Sequence, residues 1–294
     1  MKLIQKTNFT FTMKQKGILL MLLSALLFSA MQIVINLTGD LPLMEQVFFR
    51  NIVSVLLCYP ILKRKGLSIF GEKHQQPLLF MRSGFGLLGL VSLFYAASRA
   101  NQADITILSK LSPFLVTLFA YLFLKEKIAR IQIPALIIAF GGAFLVANPA
   151  FQSNLFPLFM AFLCAIFSGI TFTLLAYSKD KADVITVIMH FSSFCVAVSI
   201  PFMVMNFVVP DLKEFVFLTL IGLFGSFGQI ALTYAYRMAP ASEVSIYNYS
   251  GIVFSMIMGY FILGEAISHT SFLGGALVVL ASLLTYRYSP QDAN

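Results

Sequence analysis

The chain reads as an all-α integral membrane protein of ten transmembrane helices formed by two inverted five-helix repeats. Three observations give that reading. Of its 294 residues, 59% are apolar and 11% charged, whereas soluble chains carry about 25% charged residues, so much of the surface must face lipid. The apolar residues gather into ten runs, each near the roughly twenty residues that a helix needs to cross the hydrocarbon layer. Finally, sliding the chain by 139 residues lays Phe85, Gly86 and Gly89 on Phe224, Gly225 and Gly228 without a gap.

Charged and turn-forming residues bound the runs. The first five spans are Gly17 to Leu37, Leu43 to Leu62, Pro77 to Ser98, Ala103 to Leu124 and Ile131 to Ala147. The second five are Leu155 to Ser178, Val184 to Val208, Glu214 to Tyr236, Ser242 to Leu263 and Thr270 to Tyr286. Backbone amides find no partner in lipid, and these runs are longer than the roughly ten-residue strands of a barrel, so each is a helix. The chain divides into a basic tail (1–16), a first repeat (17–150), a second repeat (151–288) and a short C-terminal tail (289–294). Lys14 and Lys16 before the first run resemble the start of a signal peptide. The length of that run and the lack of a small-x-small cleavage site favour a retained span.

The net charge is +8, yet the basic residues sit between apolar runs rather than in one patch, so they mark topology and not a nucleic-acid surface. With the N-terminus inside, fifteen of the twenty Lys and Arg fall on inner segments, and only Arg99 and Lys213 fall on outer loops. The positive-inside rule then puts both termini in the cytoplasm of a multi-pass protein of the cell membrane. Cys58, Cys164 and Cys195 all lie within apolar runs without metal-ligand or CxxC spacing, as packing residues do. No metal or cofactor is expected.

The 139-residue register continues through Tyr95 on Tyr234, Asp104 on Glu243, Tyr121 on Tyr260 and Glu126 on Glu265. Five spans per repeat is an odd number, so the second repeat crosses the membrane in the opposite sense. The loops agree: Lys125, Lys127 and Arg130 follow the fourth span, while residues 264–269 after the ninth carry no Lys or Arg. Inverted repeats supply two related conformations and point to transport by alternating access.

The stretch Phe94-Tyr95-Ala96, Ala103-Asp104, Leu111-Ser112-Pro113 and Leu124-Lys125-Glu126-Lys127 resembles the first EamA domain of the drug/metabolite transporter superfamily. Its echo, Tyr234-Ala235, Ala239-Pro240-Ala241-Ser242 and Leu263-Gly264-Glu265, resembles the second. The resemblance implies a ten-helix bundle with a central cavity between the halves, lined largely by the helix before each repeat's last, and movement of small metabolites, amino acids or drugs. The second half departs at Ile252, which stands where the first has Pro113, so a proline break is not carried over to the ninth span.

Ionisable groups inside spans are costly and usually face a cavity or each other. Lys110 lies about 10 Å into the fourth span at 1.5 Å per residue. Pro113 withholds a donor and crowds the Ser109 carbonyl, so a kinked turn is expected there, with Ser109, Lys110 and Ser112 arranged for a carboxylate or phosphate. The competing reading is a lysine that snorkels or pairs with Glu45. Arg50, followed by Asn51, lies about 10 Å into the second span and needs a cavity, a carboxylate or carbonyls around it. Arg82, about 8 Å into the third span, is expected to snorkel to inner headgroups. Asp104, Glu126, Glu243 and Glu265 map to helix ends, the two Glu126-type residues as anchors or gate partners. His190 is either a titrating group or a buried neutral ring bonded to a neighbour.

Gln32 and Asn36 in the first span, Tyr95 in the third, Gln229 and Tyr234 in the eighth, and Tyr247, Asn248 and Tyr249 in the ninth are further pathway candidates. Asn248 matches Ser109, and Tyr249 matches Lys110, which places polar groups of both repeats around a shared centre. Interhelical hydrogen bonding is the alternative role for such groups. Pro113 is expected as a helix break, and Gly86, Gly89, Gly225 and Gly228 as close-contact or hinge positions.

The expected function is a secondary carrier of a small polar metabolite, such as an amino acid or another carboxylate. Multidrug or toxic-compound efflux is weaker because the central charges are cationic. An intramembrane enzyme finds no HExxH, no paired intramembrane carboxylates and no phosphate-binding glycine loop. A nonenzymatic scaffold and a homo-oligomer are both compatible with the sequence. The expected partners are a small-molecule substrate and the lipid bilayer, and no nucleic acid.

Overall fold

Helix ends in this chain are written into its capping residues. In the computed structural model, which describes residues 11–38, 41–97, 99, 102–149, 154–264 and 266–288, Thr12 and Asp211 open helices with reciprocal capping boxes, closed by Gln15 and Glu214. Asp183 accepts from the Ile185 amide in the same way. Gly66, Lys125, Asn148 and Gly264 close helices in the left-handed conformation. Lys2, Lys6, Ala100, Glu265 and the 289–294 tail lie outside the described residues.

Between these caps run α1 (Met13–Leu37), α2 (Leu43–Lys65), α3 (Gln76–Ala97), α4 (Gln102–Ser109), α5 (Ser112–Leu124), α6 (Gln132–Ala147), α7 (Leu155–Tyr177), α8 (Val184–Met205), α9 (Leu212–Met238), α10 (Ala241–Val244), α11 (Ser250–Met258) and α12 (His269–Tyr288). Together α4 and α5 make the fourth span. The ninth is composite: α10, the 3-10 turn Ser245–Tyr249, α11, and the π turn Gly259–Leu263. Among the described residues, nine spans are long and apolar enough to cross a membrane, and the shorter apolar helix α6 makes the tenth crossing. Large apolar side chains such as Leu56, Phe123, Leu155, Phe261 and Phe272 point outward, as a lipid-facing wall requires.

The packing follows the internal repeat. Exchanging each span with the one five places later turns the α1/α9 contact into α7/α3, and α1/α11 into α7/α5, while α2/α8 and α6/α12 map onto themselves. All these pairs pack, so the bundle has a pseudo-twofold axis between its halves. One face, here called the basic face, carries the start of α1 and the end of α7. There Lys65 pairs with Asp183 at 2.9 Å, Arg237 donates to Ser178 at 2.8 Å and Gln15 donates to Tyr286 at 3.1 Å. Thus α1 leaves this face and α7 arrives at it, and the two five-helix repeats are inverted.

At the α6/α12 crossing the backbones touch. A Cβ on Gly142 would sit 2.5 Å from the Gly274 carbonyl oxygen, whereas one on the adjacent Gly141 would meet nothing within 4 Å. A Gly142→Ala change is therefore expected to destabilise the bundle by about 1–3 kcal/mol through overpacking. Gly141→Ala should be neutral, or stabilising by up to about 1 kcal/mol through helix propensity. Thermal unfolding of the two purified variants in one detergent checks the contrast.

Candidate functional site

Both repeats break one helix near mid-membrane, and the two breaks meet. In the fourth span the helix stops at Ser109, turns through Lys110 and Leu111, and restarts with Pro113 in its first turn. In the ninth span no proline break is present, in keeping with Ile252 at the position of Pro113, and the chain instead tightens into a 3-10 turn over Ser245–Tyr249. Hydroxyls bond back onto the turn's carbonyls, Ser245 to Ser242 at 3.3 Å and Ser250 to Tyr247 at 2.6 Å, so a tighter turn forms without proline. The Tyr249 hydroxyl then donates to the Lys110 carbonyl at 2.6 Å. Those two positions are repeat equivalents, and the bond satisfies an acceptor that the break set free.

Around this junction a cavity of about 780 Å³ opens toward the face opposite the basic one. Its polar wall comes from both repeats: Gln32 and Asn36 of α1, Thr106 and Lys110 of the fourth span, and Asn248 and Ser255 of the ninth. The Gln32 amide approaches the Asn36 oxygen at 3.5 Å. Glu45, proposed from sequence as a partner for Lys110, is buried and instead accepts from the Val208 amide at 3.3 Å.

Deeper lies a second chamber of about 180 Å³, lined by Arg50, Arg82, Thr171, Phe172 and Gln229, among others. Phe28 lines both cavities and forms the wall between them. Arg82 does not snorkel as its linear position suggested. It is 3% exposed, and its guanidinium lies 3.8 Å from the centre of the Phe191 ring. Gly86 makes room for that ring, since a Cβ there would come within 2.9 Å of it. Gly225, the repeat equivalent of Gly86, leaves similar room for Arg50, whose Cγ would be 3.0 Å from a Cβ at that position. Gly228 abuts Phe28 and Gly89 lines the chamber wall.

Toward the basic face the path closes. Phe172 of the chamber stacks on Tyr236 with ring centres 5.3 Å apart and planes 18° apart. Beyond that stack is a recess of about 340 Å³ with Glu126, Lys179 and Arg237 on its walls. Glu126 accepts three hydrogen bonds from the start of the ninth span: the Ala241 amide (2.9 Å), the Ser242 amide (3.0 Å) and the Ser242 hydroxyl (2.7 Å). A carboxylate at helix-start amides is favoured by their charge and dipole. Lys14 pairs with the neighbouring Glu243 at 2.8 Å. Sequence reading placed Glu126 at a helix end but could not show what it grips.

Other candidates take up positions away from these cavities. The Ser109 hydroxyl bonds to Thr106 of its own helix, and the Asn51 amide to Val47. Ser112 is buried off the cavity walls. Tyr95 packs edge-on to Phe156 and beneath Arg99. Tyr234 packs beside Cys58, Leu62 and Ile188. Tyr247 is buried against an apolar groove beside α1 and α12. His190 is buried, with Nδ1 2.9 Å from the Ser83 hydroxyl and its ring edge-on to Phe80. Arg82, Thr171 and Phe28 had no motif to announce them.

A bundle of two inverted five-helix repeats, with a polar vestibule between them, is the build of a polytopic membrane transporter. The chain belongs to the EamA-like transporter family, whose sequence pattern matches residues 15–148 and again 155–287. That family consists of transporters, not enzymes. The chain is 31% identical over 276 residues to the pseudopaline exporter CntI of Pseudomonas aeruginosa strain UCBPP-PA14, covering 93% of this chain and 96% of that protein. It is 26% identical to the riboflavin transporter of Brucella anthropi, covering 82% of this chain and 86% of the other. A known crystal structure shares the fold with a TM-score of 0.83 at 16% identity, over 93% of this chain and 99% of that one.

The geometry sets an accessibility pattern. With the three native cysteines replaced by Ala, Asn36→Cys and Asn248→Cys are expected to react with a small water-soluble thiol reagent. Asn51→Cys and Ser112→Cys should react at least roughly tenfold more slowly, because access governs thiol reactivity. Equal rates at all four positions would contradict the vestibule.

Proposed function

We propose that this chain is a secondary carrier for a small polar metabolite bearing a carboxylate, an amino acid or similar compound, and that it works by exposing one path alternately to the two sides of the membrane. One observation carries this: the path is wide at one end and shut at the other, and what shuts it is a set of hydrogen bonds between the two repeats. Relatives named for exporting pseudopaline and for transporting riboflavin support a metabolite-sized cargo. Lys110 on the vestibule wall favours an anionic group over a cationic drug.

In this cycle Lys110, Gln32, Asn36 and Asn248 receive the cargo in the vestibule. Phe28 separates it from the chamber that holds Arg50 and Gln229. The Phe172/Tyr236 stack and the Glu126 latch part when the repeats exchange conformations about the breaks near Pro113 and Tyr249. Small residues such as Gly86 and Gly225 let the helices slide past one another. The clustering of basic residues supports a cytoplasmic basic face, and on that reading the conformation described here opens outward with both termini inside.

Reconstituted into liposomes and exposed to a soluble metabolite extract, the full chain is expected to enrich one or a few carboxylate-bearing compounds in the lumen, read by mass spectrometry. Lys110→Ala should cut that flux about tenfold or more, in line with the loss of a charged hydrogen-bond partner. No enrichment of any compound over protein-free liposomes would refute the carrier. The latch has its own test. Glu126→Gln loses charge-assisted bonds of about 1.5–3 kcal/mol each and should shift the population toward the form open at the basic face. Labelling of Asn248→Cys from the opposite face would then slow by roughly tenfold, and an unchanged rate would remove Glu126 from the gate.

A further inference from the structure

We infer that the deep chamber is a carboxylate site in which Arg50 and Arg82 grip the cargo's carboxylate between two guanidinium groups, with Thr171 beside them. This rests on the carrier reading for its place in the cycle, but the binding chemistry stands on the chamber alone.

Four buried polar atoms face this region without a hydrogen-bond partner among the described residues: Arg50 Nε, Arg82 Nε, Arg82 Nη1 and the Thr171 hydroxyl. No Asp or Glu lines the chamber. Two guanidinium groups thus line one chamber within the bundle, with no protein anion on its walls to neutralise them. An unpaired charge buried in a membrane protein is heavily penalised, and arginine cannot escape by losing its proton. Such a group is retained where something else completes it.

The geometry selects what completes it. The Arg82 guanidinium carbon lies 3.8 Å from the centre of the Phe191 ring, a cation–π contact beside which Nε and Nη1 keep no hydrogen-bond partner among the described residues. A planar fork of donors fits a carboxylate through two parallel hydrogen bonds, and a second guanidinium matches the oxygens' remaining lone pairs. The chamber's 180 Å³ equals roughly six water volumes. It therefore admits a small carboxylic acid or the acid end of a longer molecule, whose remainder extends past Phe28 into the vestibule. Arg82 was expected from its position along the helix to reach the headgroups, and the direction of its side chain into the chamber is what makes it available to a cargo.

The test uses the purified full chain in detergent and follows thermal unfolding in acetate, succinate or L-glutamate, with chloride at the same ionic strength as reference and inorganic phosphate as a separate arm. At least one carboxylate is expected to raise the midpoint over chloride. The concentration giving half the shift should rise at least about tenfold in Arg82→Gln and in Arg50→Gln, and stay unchanged in Lys213→Gln, an exposed cation outside the chamber. Arg82→Lys, which keeps the charge but not the fork, should fall between. If the Gln variants do not fold, Arg82→Lys and Thr171→Val carry the comparison, and an unchanged half-shift concentration in both overturns the site. It is also overturned if no carboxylate stabilises the protein, if phosphate alone does, or if the shift survives both Gln changes intact. Failure here is separable from failure of the carrier. Flux of a neutral metabolite that is indifferent to Arg82→Lys ends the carboxylate site and leaves the carrier, while Arg82-dependent binding without any flux does the reverse.

Discussion

Lipid offers no hydrogen bonds, so every donor, acceptor and charge within the bilayer must be answered by the protein or by what the protein binds. In this chain that constraint accounts for more than the helices. The helix breaks in the fourth and ninth spans free carbonyls, and one of them, on Lys110, is answered by the Tyr249 hydroxyl from the other repeat. The free amides at the start of the ninth span are answered by Glu126, again from the other repeat. A helix interruption and a helix start thus each supply a bond that ties the halves together. Buried polar atoms without a hydrogen-bond partner among the described residues remain at Arg50, Arg82 and Thr171 around the chamber, and elsewhere at Glu45, Tyr236, Arg237 and Tyr247.

Those bonds also explain why the molecule is lopsided although its repeats are alike. The pseudo-twofold axis would permit the same closure at both faces. At the basic face the Glu126 cluster and the Lys14–Glu243 pair draw the halves together, and the Phe172/Tyr236 stack within the second repeat fills the space beside them. At the other face the same helices stand apart around the vestibule. Sequence symmetry and conformational asymmetry thus coexist in one structure, with the bonds between the repeats at one end and the vestibule at the other.

Much of this was legible before any coordinates. Ten apolar runs gave the spans, because length and hydropathy alone decide what crosses a bilayer, and the 139-residue register gave the duplication through glycine, tyrosine and acidic positions that chance among Leu and Phe does not supply. Pro113 announced the fourth-span break, since a missing amide leaves a mark in sequence. The ninth-span break did not announce itself: Ser245 and Ser250 tighten that turn through side-chain bonds, and serine is compatible with an ordinary helix. Arg82 shows a different limit. Counting 1.5 Å per residue gives depth along an axis but not the direction of the side chain around it, and direction put this guanidinium on Phe191 instead of at the membrane surface. The grip of Glu126 on Ala241 and Ser242 joins residues more than a hundred positions apart, which no local pattern encodes.

One small feature of the duplicated turns has consequences for how evenly the two halves behave. Lys125 and Gly264 are repeat equivalents, and both close their helices with positive φ, 56° and 71°. Glycine takes up that backbone state freely, whereas a residue with a Cβ pays about 1–2 kcal/mol for it. One elbow is consequently sprung and its twin is slack. Two copies of one turn therefore differ in backbone cost, although the spans they close are alike.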